Sequence, residues 1–287
     1  MSRFLIFSDI DNTLVQSYIA RNREMIHSDG YGDIKKVIKI LSENQIPLVL
    51  CSTKTRKEQD KIRNDLDIVD PYIVENGGAI IVPKNYFPFN LDEFGLGTKE
   101  IDGNMNLELG KSYEQIITIL NDIRNKFHIR FNCVSDFSIT ELANKVGISV
   151  EGATLMASRE YSETILEIES VNRVELEKAL TERNLIMVQG TRYITVSARH
   201  DKGCAVSILK NLFYKKYRNE KIQVIAIGDA INDITMFENV DQAFLVRNIF
   251  NQYTPMEINN LTRVKGIAQD GWKEVVLDHI LQRNWKK

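Results

Sequence analysis

Residues 4–14 read Phe-Leu-Ile-Phe-Ser-Asp-Ile-Asp-Asn-Thr-Leu, a short apolar run that ends in Asp9 and Asp11 and is followed by Thr13. The apolar part, residues 4–7, is typical of a short buried strand. Two carboxylates this close repel each other, by roughly 4 kcal/mol at a separation of 4 Å and an effective dielectric of about 20. The segment therefore predicts a strand that delivers two acidic groups to a site containing a positive charge, either a metal ion or a lysine.

The N-terminal and C-terminal parts of the sequence both alternate predicted strands with predicted helices. The first part predicts strands over residues 4–7, 46–51 and 72–74 and helices over residues 33–42 and 57–66. The pattern returns after residue 201, with helices over residues 203–212, 233–237 and 272–281 and strands over residues 222–227 and 243–246. Strands separated by helices of this size indicate a parallel sheet with right-handed crossovers. We therefore predict an α/β fold whose doubly wound parallel-sheet (Rossmann-like) core is formed by residues 1–83 and 198–287.

Residues 84–197 have a different character and predict an inserted α+β lid. A turn signal over residues 75–78 and an apolar run over residues 79–82 precede it, and residues 83–103 are rich in proline and glycine without clear periodicity. Beyond them we predict a helix over residues 113–127, a strand over residues 129–134 and a helix opened by a capping box at Ser138 and Glu141. A strand over residues 164–168, a helix starting within residues 172–175 and a hairpin of residues 185–188 and 193–196 complete this unit.

The composition restricts the class of protein and of partner. The chain has 287 residues, 43% hydrophobic and 26% charged, with a formal net charge of −2. This balance gives no reason to expect a nucleic acid or a membrane as partner. The three cysteines lack metal-ligand spacing, no apolar run has the length of a membrane span, and the chain enters a strand at once, without a signal peptide. These features predict a reduced, cytoplasmic protein.

Polar side chains follow several of the predicted strands at the point where each strand ends. Asp9 and Asp11 follow the first strand, and Ser52 and Thr53 follow the second. Residues 228–233, Gly-Asp-Ala-Ile-Asn-Asp, follow the apolar run of residues 224–227 near the C-terminus. In an open parallel sheet ligands bind outside the carboxyl ends of the strands, so these groups converge if the strands are neighbours. Lys202, just before a predicted helix, can supply positive charge to the same place.

Phosphoryl transfer is the chemistry that needs this set of groups. One aspartate attacks phosphorus to form an aspartyl phosphate, and a second carboxylate donates a proton to the leaving group and later activates water. A hydroxyl and a lysine hold the phosphoryl oxygens. Mg²⁺, which prefers oxygen ligands, neutralises the developing charge.

The combination resembles the haloacid dehalogenase-like phosphatases, whose pattern is Asp-x-Asp-x-Thr, a Ser or Thr after a second strand, a Lys, and Gly-Asp-x-x-x-Asp. All four motifs are present in this order. The resemblance implies that Asp9 is the nucleophile and Asp11 the general acid and base. It implies that Ser52, Thr53 and Lys202 bind the phosphoryl group, and that Mg²⁺ is held by Asp9, the Asp11 backbone carbonyl and Asp229, with Asp233 supporting the metal shell or orienting Lys202.

Further segments resemble the mannosyl-3-phosphoglycerate phosphatases. These are residues 51–56, 75–77, 109–113, 157–163, 201–203 and 245–248, so the similarity covers nearly the whole chain. It implies a small phosphorylated sugar acid as substrate, mannosyl-3-phosphoglycerate or its glucosyl counterpart, dephosphorylated to the glycosylglycerate. The implied substrate contacts are Lys54, Arg56, Glu75, Asn76, Gly77, Arg159 and Glu160.

Other interpretations remain open at this stage. By sequence alone, Arg159 and Glu160 also fit a surface ion pair, and Lys54 and Arg56 also fit solvated charges at a helix start. A sugar phosphomutase, or a phosphatase for another sugar phosphate, would use the same fold. A non-catalytic ligand-binding protein that kept the fold is the alternative of another class, and the intact motifs argue against it.

Overall fold

The computed structural model describes residues 3–15, 17–19, 25–27, 31–94, 97–189, 193–218 and 220–282. The strands are, in chain order, β1 (Arg3–Ser8), β2 (Ser17–Ile19), β3 (Met25–His27), β4 (Leu48–Cys51), β5 (Tyr72–Val74), β6 (Ala79–Pro83), β7 (Thr98–Ile101), β8 (Asn104–Glu108), β9 (Phe131–Cys133), β10 (Ser162–Ile168), β11 (Leu185–Gln189), β12 (Ile194–Ala198), β13 (Ile222–Gly228), β14 (Gln242–Arg247) and β15 (Leu261–Ile267). The helices are α1 (Gly32–Glu43), α2 (Arg56–Leu66), α3 (Tyr113–Phe127), α4 (Ile139–Val146), α5 (Val150–Ala157), α6 (Ser170–Thr181), α7 (Lys202–Lys216), α8 (Ile234–Glu238) and α9 (Ala268–Glu274). A π-helical turn, Val275–Leu281, continues α9.

The first sheet has the strand order β15-β14-β13-β1-β4-β5-β6-β8-β7. The six strands from β15 to β5 are parallel, and β6, β8 and β7 add an antiparallel edge. Strand β1 lies in the middle, and its side chains are buried on both faces: Leu5 and Phe7 pack in one hydrophobic cluster, Phe4 and Ile6 in the other. A strand covered on both faces reads as a continuous apolar run, which is the pattern that the sequence showed. The predicted α/β parallel-sheet core is confirmed.

Helices cover both faces of this sheet. Ile34 and Leu41 of α1 and Trp272 of α9 pack in the cluster on one face. Leu209 of α7 and Phe237 of α8 pack in the cluster on the other. Because each helix buries one apolar stripe against the sheet, the fold is a three-layer sandwich with the strand ends open at its edges.

The inserted unit is an antiparallel sheet with helices, as predicted. Its strand order is β11-β12-β10-β9. Ile116, Leu120 and Ile123 of α3 share a hydrophobic cluster with Leu176 and Leu180 of α6. The predicted capping box at Ser138 and Glu141 opens α4. The tip of the β11–β12 hairpin, residues 190–192 with Gly190, lies outside the described residues.

A hairpin at the start of the predicted lid pairs with the core sheet. Strands β7 and β8 form a hairpin that extends the core sheet, with Pro83 opposite Asn104 and Ala79 opposite Glu108. Asp102 (φ 51°) and Gly103 (φ 74°) make the tight turn between them. A two-residue turn with positive φ at both positions matches the right-handed twist of hairpin strands. We therefore propose that the lid begins near residue 111, not at residue 84, and ends near residue 198.

Other differences are local. The sequence analysis did not predict β2, β3, α5 or β15, and the strand expected over residues 129–134 is confined to Phe131–Cys133. Helix α5 begins at an N-cap, Ser149, whose hydroxyl accepts from the Gly152 amide at 3.0 Å. None of the helices in the described part of the chain has the length and apolarity needed to cross a membrane.

Candidate active site

The predicted catalytic segments meet at one edge of the core sheet, at the carboxyl ends of three neighbouring strands. Asp9 follows β1, Ser52 follows β4, and Asp229 follows β13. These strand ends lie side by side because β1 pairs in parallel with β13 on one side and with β4 on the other. The sheet order therefore explains why groups far apart in sequence converge.

Lys202 bridges two buried carboxylates at the centre of this edge. Its Nζ donates to Asp9 Oδ1 at 2.6 Å and to Asp233 Oδ1 at 2.7 Å. Lys202 and Asp233 are fully buried, and Asp9 is 6% exposed. Burial by itself would lower the pKa of Lys202, but the charges of Asp233 and Asp9 outweigh it and raise the pKa above its ordinary value. The lysine is therefore a fixed buried cation.

Asp233 orders its surroundings with its second oxygen. Asp233 Oδ2 accepts from the backbone amides of Asp229 and Ala230, both at 3.0 Å. A Cβ at Gly228 would lie 2.4 Å from this oxygen, which requires glycine there. Since both oxygens of Asp233 are engaged, this carboxylate orients Lys202 and the loop after β13.

Asp229 completes a cluster of three buried carboxylates. Asp229 Oδ1 accepts from the Thr13 hydroxyl at 3.2 Å. One oxygen each from Asp9, Asp229 and Asp233 lies within 4.8 Å of the others, which is close enough to share a cation. The cluster thus joins residues of the first and last predicted motifs.

Burial disfavours the ionised forms of these carboxylates, and their mutual repulsion adds to that effect. The pKa of Asp9 is raised to about 7, with burial as the largest cause; Lys202 lowers it, and the neighbouring carboxylates raise it. The pKa of Asp229 is also raised well above its ordinary value, by burial first and then by Asp9 and Asp233. A divalent cation would offset this charge, and carboxylate oxygens are the ligands that Mg²⁺ prefers. The donor set therefore fits a divalent metal ion.

Asp11 lies beside the cluster in a different environment. Its side chain is 32% exposed, and its Oδ2 is 3.1 Å from Lys54 Nζ. Lys54 is also 3.6 Å from Glu58 Oε1. Burial lowers the pKa of Lys54, but Asp11 and Glu58 outweigh it, so the net change is upward. The two aspartates of the opening segment thus contact different lysines.

Two hydroxyl groups follow the carboxyl end of β4, the strand that pairs with β1. Ser52 is fully buried, and its Oγ accepts from the Lys54 amide at 3.2 Å. Thr53 is half-buried next to it. Both hydroxyls remain candidates for phosphate binding.

Glu75, Asn76 and Gly77 form a turn in which all three residues have positive φ, of 48°, 60° and 99°. A Cβ at Gly77 would lie 2.1 Å from the backbone oxygen of Asp201, the residue before the buried lysine. Asn76 is 4% exposed, and its Oδ1 has no hydrogen-bond partner among the described residues. Asn76 Oδ1 is therefore a buried acceptor with no partner in the described part of the chain.

Glu75 contacts the lid with both carboxylate oxygens. Its Oε1 accepts from the Glu160 amide at 2.8 Å, and its Oε2 accepts from the Tyr161 amide at 3.1 Å and the Ser162 hydroxyl at 2.5 Å. Glu75 is fully buried, and burial raises its pKa against the lowering effects of Arg159 and Ser162.

Arg56 and Glu160 form an ion pair between core and lid. Arg56 Nε and Nη2 donate to the two Glu160 oxygens at 2.8 Å each, and Arg56 Nη1 donates to Asn106 Oδ1 at 3.1 Å. Arg159 instead donates to the Ser162 hydroxyl at 2.9 Å, and its Nε has no partner within the described residues. The structure thus links three of the predicted substrate residues, because Arg56 and Glu75 both bond to Glu160.

Two participants in this network were absent from the sequence-based set. Asn106 is fully buried in β8, a strand that the sequence analysis did not predict. Ser162 begins β10 and is also fully buried. The Asp102-Gly103 pair, a hairpin signal between two short segments, would have predicted β8 and hence a buried asparagine within it.

Comparison with known proteins agrees with this geometry. A family model described as haloacid dehalogenase-like hydrolase matches residues 6–94 and 155–252. A glucosyl-3-phosphoglycerate/mannosyl-3-phosphoglycerate phosphatase of Methanococcoides burtonii is 30% identical over 286 residues, covering 98% of this chain and 99% of that protein. A mannosyl-3-phosphoglycerate phosphatase of Pyrococcus horikoshii is 35% identical over 245 residues, covering 85% of this chain and 91% of that protein.

The fold is also found among solved structures. A crystal structure of a Thermoplasma acidophilum protein superposes with a TM-score of 0.61 at 17% sequence identity. The superposition covers 96% of this chain and 97% of the other. Both units of the chain, core and lid, therefore have a counterpart in that fold.

Proposed function

The chain belongs to the haloacid dehalogenase-like hydrolases, and from that premise we propose that it hydrolyses a phosphate monoester through an aspartyl phosphate on Asp9. The observation that carries the proposal is the buried arrangement of Lys202 between Asp9 and Asp233. A lysine held in this way fixes one oxygen of the Asp9 carboxylate and presents positive charge where phosphoryl oxygens would lie. A purely structural ion pair would not need a third carboxylate, Asp229, at the same strand edge.

The first half-reaction forms the covalent intermediate. A carboxylate oxygen of Asp9 bonds to phosphorus, and the bond between phosphorus and the ester oxygen breaks. Asp11, in its protonated form, donates its proton to the departing oxygen. Ser52, Thr53 and Lys202 bind the oxygens of the transferred group, with Ser52 and Thr53 on the strand end beside β1.

The second half-reaction restores the enzyme. Asp11, now ionised, accepts a proton from water, and the water oxygen bonds to phosphorus. The bond between Asp9 and phosphorus breaks, which releases inorganic phosphate and returns the Asp9 carboxylate. The different surroundings of the two aspartates support this division, because Asp9 is 6% exposed and the Asp11 side chain is 32% exposed.

We propose Mg²⁺ as the metal. It would be held by the Asp9 and Asp229 carboxylates and the Asp11 backbone carbonyl. Both oxygens of Asp233 bond to other groups, Lys202 and two backbone amides, so Asp233 would orient the site without binding the metal directly. When bound, Mg²⁺ supplies the charge that neutralises the phosphoryl oxygens.

The proposed substrate is mannosyl-3-phosphoglycerate or glucosyl-3-phosphoglycerate, with the glycosylglycerate as product. Both substrates occur in the names of the relatives, and the similarity extends through the lid. Asn76 and Arg159 support a polar substrate, since each retains a buried group without a partner in the described structure. We further propose a cytoplasmic location, supported by the free cysteines Cys51, Cys133 and Cys204.

Phosphate release from the two glycosyl phosphoglycerates, measured side by side with Mg²⁺, tests the proposal. We expect turnover of at least one of them and its loss in Asp9→Asn with folding intact, judged by circular dichroism. An active Asp9→Asn variant would refute the assignment of Asp9 as the nucleophile. Interconversion of sugar phosphates without release of phosphate would identify a mutase, and binding without turnover under any divalent metal would identify a binding protein.

A further inference from the structure

A continuous set of contacts joins the phosphate loop, defined as residues 52–56, to the lid segment, defined as residues 158–162. On the core side, the Glu75 amide donates to the Lys54 carbonyl at 3.0 Å and the Asn76 amide donates to the Ser52 carbonyl at 2.9 Å. The backbone of the phosphate loop is thus bonded to the turn that carries Glu75.

The same turn is bonded to the lid segment through a fully buried carboxylate. Glu75 receives three hydrogen bonds, from the amides of Glu160 and Tyr161 and from the Ser162 hydroxyl. A buried ionised carboxylate only accepts hydrogen bonds, and three donors at short range largely satisfy it. Glu75 therefore has little capacity left for a substrate hydroxyl.

A second connection runs directly from the phosphate loop to the lid. All three guanidinium nitrogens of Arg56 are engaged, two by Glu160 and one by Asn106, and the Arg56 side chain is 7% exposed. Paired parallel bonds of this type fix orientation as well as distance. In addition, the Thr55 hydroxyl donates to the Leu155 carbonyl at 2.9 Å.

The backbone at the junction is held in an uncommon conformation. Glu75 and Asn76 both have left-handed φ values, which non-glycine residues rarely adopt. Such conformations are strained and persist where the surrounding contacts determine them. Here those contacts are the bonds to the phosphate loop and to the lid segment.

We propose that Arg56, Glu75 and Glu160 are positioning residues that do not bind substrate themselves but fasten the lid segment to the phosphate loop. This inference rests on the proposed function, in which the loop holds the phosphoryl group and the lid contacts the rest of the substrate. The network then fixes the distance between those two halves of the site. It holds the segment that carries Arg159, whose Nε has no partner in the described structure and whose neighbour Ser158 donates to the Thr55 hydroxyl oxygen of the loop at 3.5 Å.

The proposal predicts an effect that depends on substrate size. A substrate that reaches from the phosphate loop to the lid needs both halves in register, whereas a small ester such as p-nitrophenyl phosphate needs mainly the core. Misplacement of about 1 Å costs a reaction on the order of 100-fold. Loosening the network should therefore lower kcat/KM for the glycosyl phosphoglycerate far more than for the small ester.

A double-mutant cycle tests whether the ion pair acts as a unit. We expect Arg56→Gln and Glu160→Gln each to lower the ratio of the two kcat/KM values by about 10–100-fold, and the double variant to lower it no further than about twofold beyond either. Independent substrate contacts would instead give losses that multiply. The matched control is Lys61→Gln, which breaks the exposed core–lid ion pair with Glu151 and should leave the ratio unchanged.

A measurement without substrate separates this inference from the proposed function. Cys204 is exposed on α7, and Val174, 77% exposed on α6, accepts a second label as Val174→Cys, while Cys51 and Cys133 are buried. The distribution of energy-transfer efficiencies between the labels should become broader, or its mean lower, in Arg56→Gln and in Glu160→Gln but not in Lys61→Gln. An unchanged distribution in both network variants, or multiplicative losses in the cycle, overturns the positioning role. If the wild-type protein hydrolyses neither glycosyl phosphoglycerate, the substrate proposal fails and the energy-transfer result still decides the network.

Discussion

Replacing Lys202 by methionine should destabilise the metal-free protein in a way that depends on pH. The substitution keeps a long unbranched side chain but removes an ammonium that lies 2.6 Å from Asp9 and 2.7 Å from Asp233. At such distances and an effective dielectric of about 20, each attraction is roughly 6 kcal/mol before the cost of burying the charges. Removing one partner of a buried pair costs about 3–5 kcal/mol, and we expect this loss in the free energy of unfolding at pH 8.

The pH dependence follows from the raised pKa of Asp9. A group whose pKa is higher in the folded than in the unfolded state stabilises the fold at low pH, and that stability is lost as the pH rises through the folded value. For Asp9 this interval runs from its ordinary value of 3.8 to about 7, and the shift corresponds to roughly 4 kcal/mol. In Lys202→Met the lowering effect of the lysine is lost, so the pKa of Asp9 rises further and the decline continues above pH 7. The difference between wild type and variant should therefore be smaller at pH 5 than at pH 8.

Urea denaturation in the presence of a chelator, at pH 5 and at pH 8, measures both effects. The matched control is Lys215→Met on the same helix, which breaks a surface pair with Glu93 and should cost at most about 1 kcal/mol at either pH. A loss in Lys202→Met that is equal at the two pH values would show that packing of the side chain, and not its charge, stabilises the site.

Two further predictions concern the metal and the loop after β13. Mg²⁺ binding should release protons, and its affinity should increase by up to about tenfold for each pH unit as the pH rises towards 7, because the pKa of Asp9 is raised to about 7. Titration calorimetry in buffers of different ionisation enthalpy measures both effects. An affinity that does not change between pH 6 and 8 would count against Asp9 as a ligand. Gly228→Ala would put a Cβ 2.4 Å from Asp233 Oδ2 and should displace that carboxylate, which lowers the rate of phosphate release by about 100-fold. The control Gly97→Ala, where a Cβ meets nothing within 4 Å, should behave like wild type. Equal activity of the two variants would contradict the role given to Asp233.

The core and its strand-end groups could be predicted from the sequence because the signals are local. The buried strand before Asp9 and the apolar strand before Gly228 are continuous hydrophobic runs, and the parallel-sheet rule places their carboxyl ends together. The pairing of Lys202 with both Asp9 and Asp233 follows once those strands are neighbours.

The core–lid junction could not be predicted in the same way. Arg56 and Glu160 are 104 residues apart, and their pairing depends on how the core and the lid meet. The sequence pattern suggested Arg159 and Glu160 as neighbours of each other, yet the structure directs Glu160 to Arg56 and Arg159 to Ser162. The choice of partner is a tertiary property, because side chains adjacent in sequence outside a helix need not share a face.

The hairpin Thr98–Glu108 shows a different limit. Its strands are short and the first is mostly exposed, so hydrophobic periodicity is weak. The pair Asp102-Gly103 is a hairpin signal, but it lies at the end of a segment rich in glycine and proline that reads as an irregular connection. Because this hairpin extends the core sheet, we propose that the lid begins after it.

Detection of the phosphoryl group on Asp9 tests the central claim most directly. Asp11→Asn removes both the acid of the first half-reaction and the base that activates water. The variant is therefore mixed with Mg²⁺ and p-nitrophenyl phosphate, whose leaving group departs without a proton, and the intermediate should accumulate before the mixture is quenched in acid. Mass spectrometry of the peptide that contains Asp9 should then show one added phosphoryl group, which is absent from an Asp9→Asn, Asp11→Asn double variant. Release of inorganic phosphate by the wild type with no phosphoryl group on this peptide in Asp11→Asn, or its presence on another residue, would contradict the account.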